Sequence, residues 1–284
     1  MNTIILNSSN YVEGTNGSQY EYSFGGSLNA VNCDQIAVVS VNVYNSTNNI
    51  TSVFANNKVT FTFNSAVPVV IQIIFPDSYM SVGDMNNYLQ SIMITNLLYV
   101  TNASNQNIYF FELVTNPTLY SVQINAFPIP TAGIATGLGY TKAVGATWNY
   151  PTTAQIPQLT ISDKFGKLIG FEGGIFPPSI VATVMSVTST KCPVLSPISS
   201  YIMSCNLIQN PYARPSSIIH AIALDKSFGS LITNRANELI WSDIVQGSHE
   251  RLTIILMDQA FRRLNLIDTD IVITLAIRNK MKDA

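Results

Sequence analysis

The sequence has few charged residues. Asp, Glu, Lys and Arg make up 11% of its 284 residues, compared with about 25% in an average soluble domain. The 14 basic and 16 acidic residues give a net charge of −2, and neither half of the chain has enough basic excess to form a nucleic-acid-binding surface. A compact monomer of this mass would expose on the order of 12,000 Å². Charge this sparse predicts that neighbouring subunits cover much of the surface.

Cysteine and histidine are also scarce. The three cysteines, Cys33, Cys192 and Cys205, have no short paired spacing, which argues against a disulfide framework and predicts buried free thiols in a reducing compartment. With two histidines and no CxxC pair, no structural zinc site is expected. The start MNTIILNSSN lacks the features of a signal peptide, and no apolar run approaches the roughly 18 residues of a membrane span.

Catalytic motifs are missing as well. The sequence contains no G-x-S-x-G elbow, phosphate-binding loop or dinucleotide fingerprint. His220 lies in the apolar run IIHAI, where a hydrogen-bonded strand histidine is the favoured interpretation over a general base. Asp268 and Asp270 have the form of a metal-binding DxD, but their setting favours a tight turn. We therefore predict that the chain is not an enzyme and has no catalytic, cofactor-binding or metal-ligating residues.

What the sequence does have is alternation of apolar and polar residues, which predicts β-strands. The predicted strands cover residues 20–24, 36–44, 59–63, 69–75, 108–114, 120–126, 158–161, 200–207, 217–224, 252–256 and 271–277. One helix is expected after Ser81, which has capping-box spacing to Asp84. So many short strands separated by Asn, Pro and Gly predict an all-β sandwich or barrel. Residues 127–157, rich in Pro, Gly, Thr and Ala, are expected to form a long excursion or linker.

A series of short motifs resembles the penton (vertex) capsid proteins of virophages and related Polinton-like viruses. No motif in the series is catalytic, and the resemblance rests on their common order over most of residues 18–280. In the C-terminal half the motifs are SCNLIQN at 204–210 followed by PY, FGSLI at 228–232, Trp241, Gly247, LTIIL at 252–256 followed by DQ, and DTDIVITLAI at 268–277. In the N-terminal half they are DQIAVVSVNVY at 34–44, FPDSYMSV at 75–82, NYLQ at 87–90, LIGF at 168–171 and GIFP at 174–177. Ser78 stands where the family usually has Gly, so the geometry of that turn is expected to differ.

The resemblance implies a jelly-roll β-sandwich and a structural role. Members of that family form homopentameric capsomers at the fivefold vertices of icosahedral DNA viruses and contact a double-jelly-roll major capsid protein. The resemblance thus implies a virion location after synthesis in the reducing cytoplasm of an infected cell, with no direct nucleic-acid contact predicted. The expected organisation is an arm over residues 1–16, either docked on a neighbour or frayed, and a jelly-roll capsid domain over 17–284. Because a jelly roll needs roughly 150–200 residues, we expect an inserted subdomain or long loops near 127–195.

Two other functions stay open at this point. A β-sandwich that binds carbohydrate or a host receptor would need an exposed aromatic platform, for which Trp148 and Tyr150 are the candidates. The competing interpretation is that both rings pack on the core or on a neighbour. An enzyme on a β scaffold is the weaker alternative, because fold alone does not imply function. Two Asn-rich loops, 45–57 and 102–107, are candidates for inter-subunit or outward-facing contacts.

Overall fold

The computed structural model describes residues 1–24 and 34–280, and the chain divides into two compact units. The jelly-roll unit consists of Met1–Asn48 and Ile198–Ala284, and the inserted unit is Asn49–Pro197. Cys33 lies outside the described residues. The two units are described separately below.

The described residues form mainly short β-strands. The strands are β1 (Asn2–Asn7), β2 (Gln19–Ser23), β3 (Gln35–Tyr44), β4 (Lys58–Phe63), β5 (Val69–Ile74), β6 (Val100–Thr101), β7 (Asn107–Ile108), β8 (Phe111–Asn116), β9 (Ser121–Ala126), β10 (Thr141–Lys142), β11 (Gln158–Ile161), β12 (Gly174–Phe176), β13 (Met185–Thr188), β14 (Ser200–Cys205), β15 (Ile218–Ala223), β16 (Leu231–Arg235), β17 (Ser242–Asp243), β18 (Arg251–Met257) and β19 (Ile271–Arg278). The helices are α1 (Val82–Thr95), α2 (Ala132–Gly137) and α3 (Asp163–Ile169), with a 3₁₀ turn at Ser8–Asn10.

Two antiparallel sheets make up the jelly-roll unit. Sheet A has the order β1-β19-β3-β16, with the short β17 also pairing with β3, and sheet B has the order β15-β14-β18-β2. Without β17, the described residues of this unit form eight strands. In chain order, the first, eighth, third and sixth form sheet A, and the second, seventh, fourth and fifth form sheet B. This is the strand order of a jelly roll, in which two Greek keys interleave. The predicted all-β jelly roll is confirmed.

Apolar residues at every second position of the strands form one buried side of each sheet. In sheet B, Tyr20, Tyr201 and Ile254 are fully buried, and in sheet A so are Leu6 and Ile273. A hydrogen bond also links sheet B to the turn that leads into sheet A. The hydroxyl of Tyr20 donates to the backbone carbonyl that precedes β19 by two residues, at 3.1 Å. Burial of apolar side chains holds the sheets face to face, and such bonds satisfy the polar groups buried with them.

The N-terminal residues form an edge strand, so the predicted arm over residues 1–16 is wrong. β1 pairs with β19 along its whole length, from Asn2 opposite Ile277 to Asn7 opposite Val272. Ile4 is buried, and the polar residues that follow form a 3₁₀ turn in which Asn7 accepts a hydrogen bond from the backbone N–H of Ser9 at 2.9 Å. The run NTIILN carries a period-two pattern, and the polar residues after it stabilise a turn and leave no flexible tail.

The inserted unit begins earlier than predicted, at Asn49 instead of near residue 127. It lies in the chain between β3 and β14, the third and fourth strands of the jelly roll. Its strands form three small sheets, with the orders β12-β11-β4-β5, β13-β9-β8 and β10-β6-β7. A single apolar cluster that includes Phe61, Phe111 and Phe165 forms its core. Strands β4 and β5 and helix α1, which alternation and capping correctly identified, belong to this unit and not to the jelly roll.

Helix α1 begins where the sequence predicts. The hydroxyl of Ser81 accepts a hydrogen bond from the backbone N–H of Asp84 at 3.2 Å, and the Asp84 carboxylate accepts one from the backbone N–H of Ser81 at 3.0 Å. The pKa of Asp84 is lowered because its carboxylate accepts hydrogen bonds from the Ser81 hydroxyl, at 2.6 Å, and from the Ser81 backbone N–H. Val82, Met85 and Leu89 form its buried stripe, as the 3.6-residue period requires. Helix α1 thereby covers one side of the inserted unit's core.

Candidate functional site

The two histidines have ordinary structural partners. His220, on β15, places Nε2 2.8 Å from Oδ1 of Asn234 on β16, so the favoured interpretation as a hydrogen-bonded strand histidine is confirmed. His249 places Nε2 2.7 Å from the carbonyl oxygen of Val245. Within residues 1–24 and 34–280, no group of three or more His, Cys, Asp or Glu side chains is arranged to hold a metal ion.

The acidic residues near the C-terminus stabilise turns. Asp268 accepts a hydrogen bond from the backbone N–H of Asp270 at 2.8 Å, which confirms the tight-turn interpretation of the DTD sequence. Asp258, which the sequence analysis overlooked, is almost fully buried. Its carboxylate accepts hydrogen bonds from the backbone N–H of Ala260 and Arg262 and lies 2.7 Å from the Arg262 guanidinium. The D-x-x-x-R spacing of Asp258 and Arg262 was the sequence signal from which this loop could have been predicted.

The cysteines differ in their surroundings. Cys205 is fully buried on β14, and burial raises the pKa of its thiol to about 12. Cys192 is exposed, so the prediction of a buried thiol is wrong there. The Cys205 thiol therefore lacks the lowered pKa of a nucleophilic cysteine.

The inserted unit contains a cavity of about 620 Å³ lined mainly by apolar and aromatic side chains, including Tyr109, Phe127 and Tyr140. Its volume is in the range of small-molecule sites. Glu112 is the one carboxylate among its lining residues, and this carboxylate accepts a hydrogen bond from Nδ2 of Asn125 at 2.8 Å. No His, Cys, Lys or Arg belongs to the lining. The cavity therefore has the volume and the apolar lining of a small-molecule binding site.

The candidate aromatic platform for a glycan does not exist, because Trp148 belongs to the core. Its ring is 5% exposed and packs edge-on against Phe63 at 5.0 Å between centroids. Its indole N–H donates to the carbonyl of Leu97 at 2.7 Å. Tyr150 packs edge-on against Trp148 at 5.2 Å, and burial raises the pKa of its hydroxyl. The competing interpretation of core packing is confirmed.

The Asn-rich loop at 45–57 is largely buried, which contradicts its candidacy for inter-subunit or outward-facing contacts. Asn49 is 1% exposed, and its Nδ2 donates to the carbonyls of Met80 and Leu195 at 2.9 and 3.0 Å. Nδ2 of Asn56 donates to the carbonyl of Asn49 at 2.8 Å. The amides satisfy buried backbone groups of the chain itself. The second loop, 102–107, is mostly exposed and is organised by Asn102, whose Oδ1 accepts from the backbone N–H of Ser104 and of Gln106.

The outer side of sheet A has few charged residues. We define face A as the following outward positions of its four main strands, which are Thr3, Ile5, Asn7, Ser40, Asn42, Tyr44, Leu231, Thr233, Arg235, Val272 and Thr274. Arg235, at the end of edge strand β16, is the single charge among these positions. Arg278 lies further along β19 on the same side of the sheet, with its guanidinium 4.0 Å from the centroid of the Trp241 ring. Ile5 is 56% exposed, Leu231 46% and Val272 39%. Outward positions of an antiparallel sheet in contact with water are usually polar, so these exposed apolar residues are unusual.

The outer side of sheet B is similarly short of charge. Face B consists of Gln19, Glu21, Ser23, Ser200, Ile202, Ser204, Ala221, Ala223, Arg251, Thr253, Ile255 and Met257. Its two charges neutralise one another, because the Arg251 guanidinium lies 3.5 Å from the Glu21 carboxylate. Ile202 and Met257 are opposite one another on β14 and β18. Apolar side chains therefore occupy the centre of this face and the ion pair lies at one edge.

Two of the motifs that resemble penton proteins lie at a helix end and a turn. In LIGF, Gly170 ends α3 with φ +82°, and a Cβ there would run into the carbonyl oxygen of Lys191, so both the backbone and the space require Gly. In FPDSYMSV, Ser78 pairs through its backbone N–H and C=O with Ile50, and its φ is not positive. Serine is therefore accommodated without strain where Gly is usual.

None of the helices that the structure describes is sufficiently long and apolar to cross a membrane. No family model matches the chain, and no curated protein matches it. Among solved structures, the chain is similar to a crystal structure of the mavirus penton protein, with 11% sequence identity, 98% of each chain covered and a TM-score of 0.45. At this level of similarity, the function has to be argued from the chain's own residues.

Proposed function

We propose that this chain is a structural capsid protein, and that five copies form the capsomer at a fivefold vertex of an icosahedral DNA virus. The observation that carries the proposal is that both outer sides of a jelly-roll sandwich are poor in charge and carry exposed apolar residues. A sandwich that works alone keeps polar or charged residues at its outward positions. Here both outer sides carry exposed or half-buried apolar residues, as expected of a subunit covered by neighbours.

The ordered series of sequence motifs supports the same proposal independently of the faces. The motifs describe turns and strand starts, such as the α3 terminus at Gly170 and the turn at Asp268. Such motifs would maintain the fold and would not take part in a reaction. The ionisable side chains described above are engaged in turns, caps and strand contacts, which suits a structural protein and gives no support to an enzyme. The proposed partners are further copies of this chain and a double-jelly-roll major capsid protein, after synthesis in the reducing cytoplasm of the infected cell.

Two measurements test the proposal together. Light scattering on the purified chain should give a mass five times the 31.1 kDa of one copy, at the highest concentrations or on addition of the major capsid protein. In purified particles, imaging with an antibody fragment against the exposed 102–107 loop should label the vertices alone. A chain that is absent from particles and that hydrolyses a substrate would overturn the proposal.

A further inference from the structure

We infer that the cavity of the inserted unit binds a small organic cation, a protonated amine attached to an apolar body. Such binding is separate from the capsid role and does not depend on it. The cavity has a volume of about 620 Å³ and is lined by residues of the inserted unit alone. Aromatic and aliphatic residues form most of its wall, and the carboxylate of Glu112 is the one charge among them. A single negative charge in an aromatic wall is complementary to a ligand that carries one positive charge.

A row of polar side chains holds the Glu112 carboxylate in place. Glu112 on β8 lies opposite Asn125 on β9, which in turn lies opposite Ser186 on β13. Nδ2 of Asn125 donates to Oε1 of Glu112 at 2.8 Å. Oδ1 of Asn125 accepts hydrogen bonds from the hydroxyl of Ser186 at 2.7 Å and from Nε2 of Gln123 at 2.8 Å. Because the oxygen and the nitrogen of this amide both have partners, its orientation is fixed, and it positions the carboxylate in advance of any ligand.

The carboxylate has no positive partner in the part of the chain that the structure describes. None of the ion pairs within residues 1–24 and 34–280 includes Glu112, and its Oε2 accepts no hydrogen bond there. The next basic residue in the sequence is Lys142, and its ammonium group donates to the carbonyl of Trp148 at 2.8 Å. A half-buried carboxylate is destabilising when it is unpaired, so an ammonium group bound beside Oε2 would relieve an unfavourable feature of the free protein.

The remaining wall suits the apolar body of such a ligand. Tyr109, Phe127 and Tyr140 are half-buried members of the lining, and the face of an aromatic ring attracts an ammonium group. Ile134 on helix α2 and Leu138 at its C-terminal end also line the cavity, and they are 50% and 54% exposed. A ligand in the cavity would cover these two apolar side chains, and their burial would favour binding.

Binding of 4-phenylbutylamine tests the inference, because near neutral pH this probe carries an ammonium group on an apolar, aromatic body. Its neutral and anionic counterparts, 4-phenylbutanol and 4-phenylbutyrate, have nearly the same size and shape. Calorimetry and ligand-observed NMR on the full chain should give the amine a dissociation constant on the order of 1 mM or lower, as expected for a ligand of about a dozen non-hydrogen atoms. The amine should bind at least about tenfold more tightly than the alcohol, and the anion should bind more weakly than both.

Substitution of Glu112 tests which group selects the charge. Glu112→Gln removes the charge and keeps the size of the side chain and an acceptor oxygen for Asn125. It should lower the affinity for the amine at least about tenfold and leave the affinity for the alcohol unchanged. The matched control is Glu172→Gln, because Glu172 is an exposed carboxylate of the same unit that pairs with Lys191 and lies outside the lining. This control should bind the amine as the unsubstituted chain does. Phe127→Leu, which removes an aromatic ring from the wall, should weaken binding of the amine by about threefold to tenfold.

Three results would overturn the inference. The first is equal affinity of the unsubstituted chain for the amine and the alcohol, and the second is unchanged affinity of Glu112→Gln for the amine. The third is the absence of detectable binding of the amine at about 10 mM. The comparison of the three probes needs no variant, so it remains decisive if circular dichroism shows that Glu112→Gln is unfolded. Each of these results leaves the vertex role unaffected, because the cavity takes no part in the evidence for it.

Discussion

At the residue scale, asparagine plays a different role from the one its abundance suggests. An amide-rich sequence predicts amide-coated contacts between subunits. The structure instead shows several Asn side chains turned inward, such as Asn64, which is 2% exposed and donates to the carbonyl of Ile156 at 2.7 Å. An amide both donates and accepts, so it can replace a missing backbone partner in an irregular loop. Sequence alone does not distinguish the two uses, because they need the same residue type.

The Cys205 thiol provides a residue-scale prediction. Its pKa is raised to about 12 by burial, so little thiolate exists at pH 8 and a disulfide reagent has no access to the sulfur. In a Cys33→Ser/Cys192→Ser variant, labelling should proceed only at the rate of unfolding and become immediate in denaturant. The raised pKa also implies stability that is complete below pH 9 and lost as the pH rises towards 12.

The matched control for that experiment is a Cys33→Ser/Cys205→Ser variant. It leaves only Cys192, which is exposed and should therefore react rapidly in the native state. Rapid native labelling of Cys205 at pH 8 would contradict its buried position.

At the element scale, the sequence predicts every long strand except β1 and β16. Alternation is a local signal, so strands such as β3 and β19 are evident from their own residues. Strand β1 is missed because its polar neighbours resemble a flexible tail. Strands β6 and β10 are missed because two residues each are too few to show alternation. The outer faces could not be predicted from the sequence. They depend on which residues become neighbours across a sheet, and this is set by the register between strands that are far apart in sequence. Helix α3 is missed although Ser162 caps it and Gly170 ends it.

Strand β1 provides the element-scale prediction, because consecutive residues point to opposite sides of sheet A. Leu6 is fully buried, whereas Ile5 is 56% exposed. Leu6→Ala should lower the free energy of unfolding by about 3 kcal/mol through lost burial and a residual cavity. Ile5→Ala, the matched control on the same strand, should change it by less than about 0.5 kcal/mol. Chemical denaturation at a concentration that keeps the chain monomeric measures both. Equal, small effects would mean that residues 2–7 behave as an arm.

At the scale of the whole molecule, scarcity of charge determines how assembly should respond to salt. Screening weakens contacts between exposed charges, because the Debye length falls from about 30 Å at 0.01 M to about 3 Å at 1 M ionic strength. Charged residues make up 11% of the chain, so contacts between copies are expected to depend mainly on apolar, hydroxyl and amide groups. Assembly measured by light scattering should therefore stay within about threefold in midpoint concentration between roughly 0.05 and 0.5 M sodium chloride. A steep loss of assembly with salt would indicate that a charged surface elsewhere joins the copies.

The inserted unit has a consequence for the order in which the chain folds. Strands β3 and β14 flank Asn49–Pro197, and closing an unfolded loop of about 150 residues costs roughly 4 kcal/mol of chain entropy. Asn49, the first residue of the insert, hydrogen-bonds to the carbonyl of Leu195 near its last. If the insert folds first, this bond ties its termini together and replaces the long closure with a short one. We therefore expect hydrogen exchange during refolding to protect β4 and β11 before β3 and β14, so that the insert nucleates the sandwich interrupted by it.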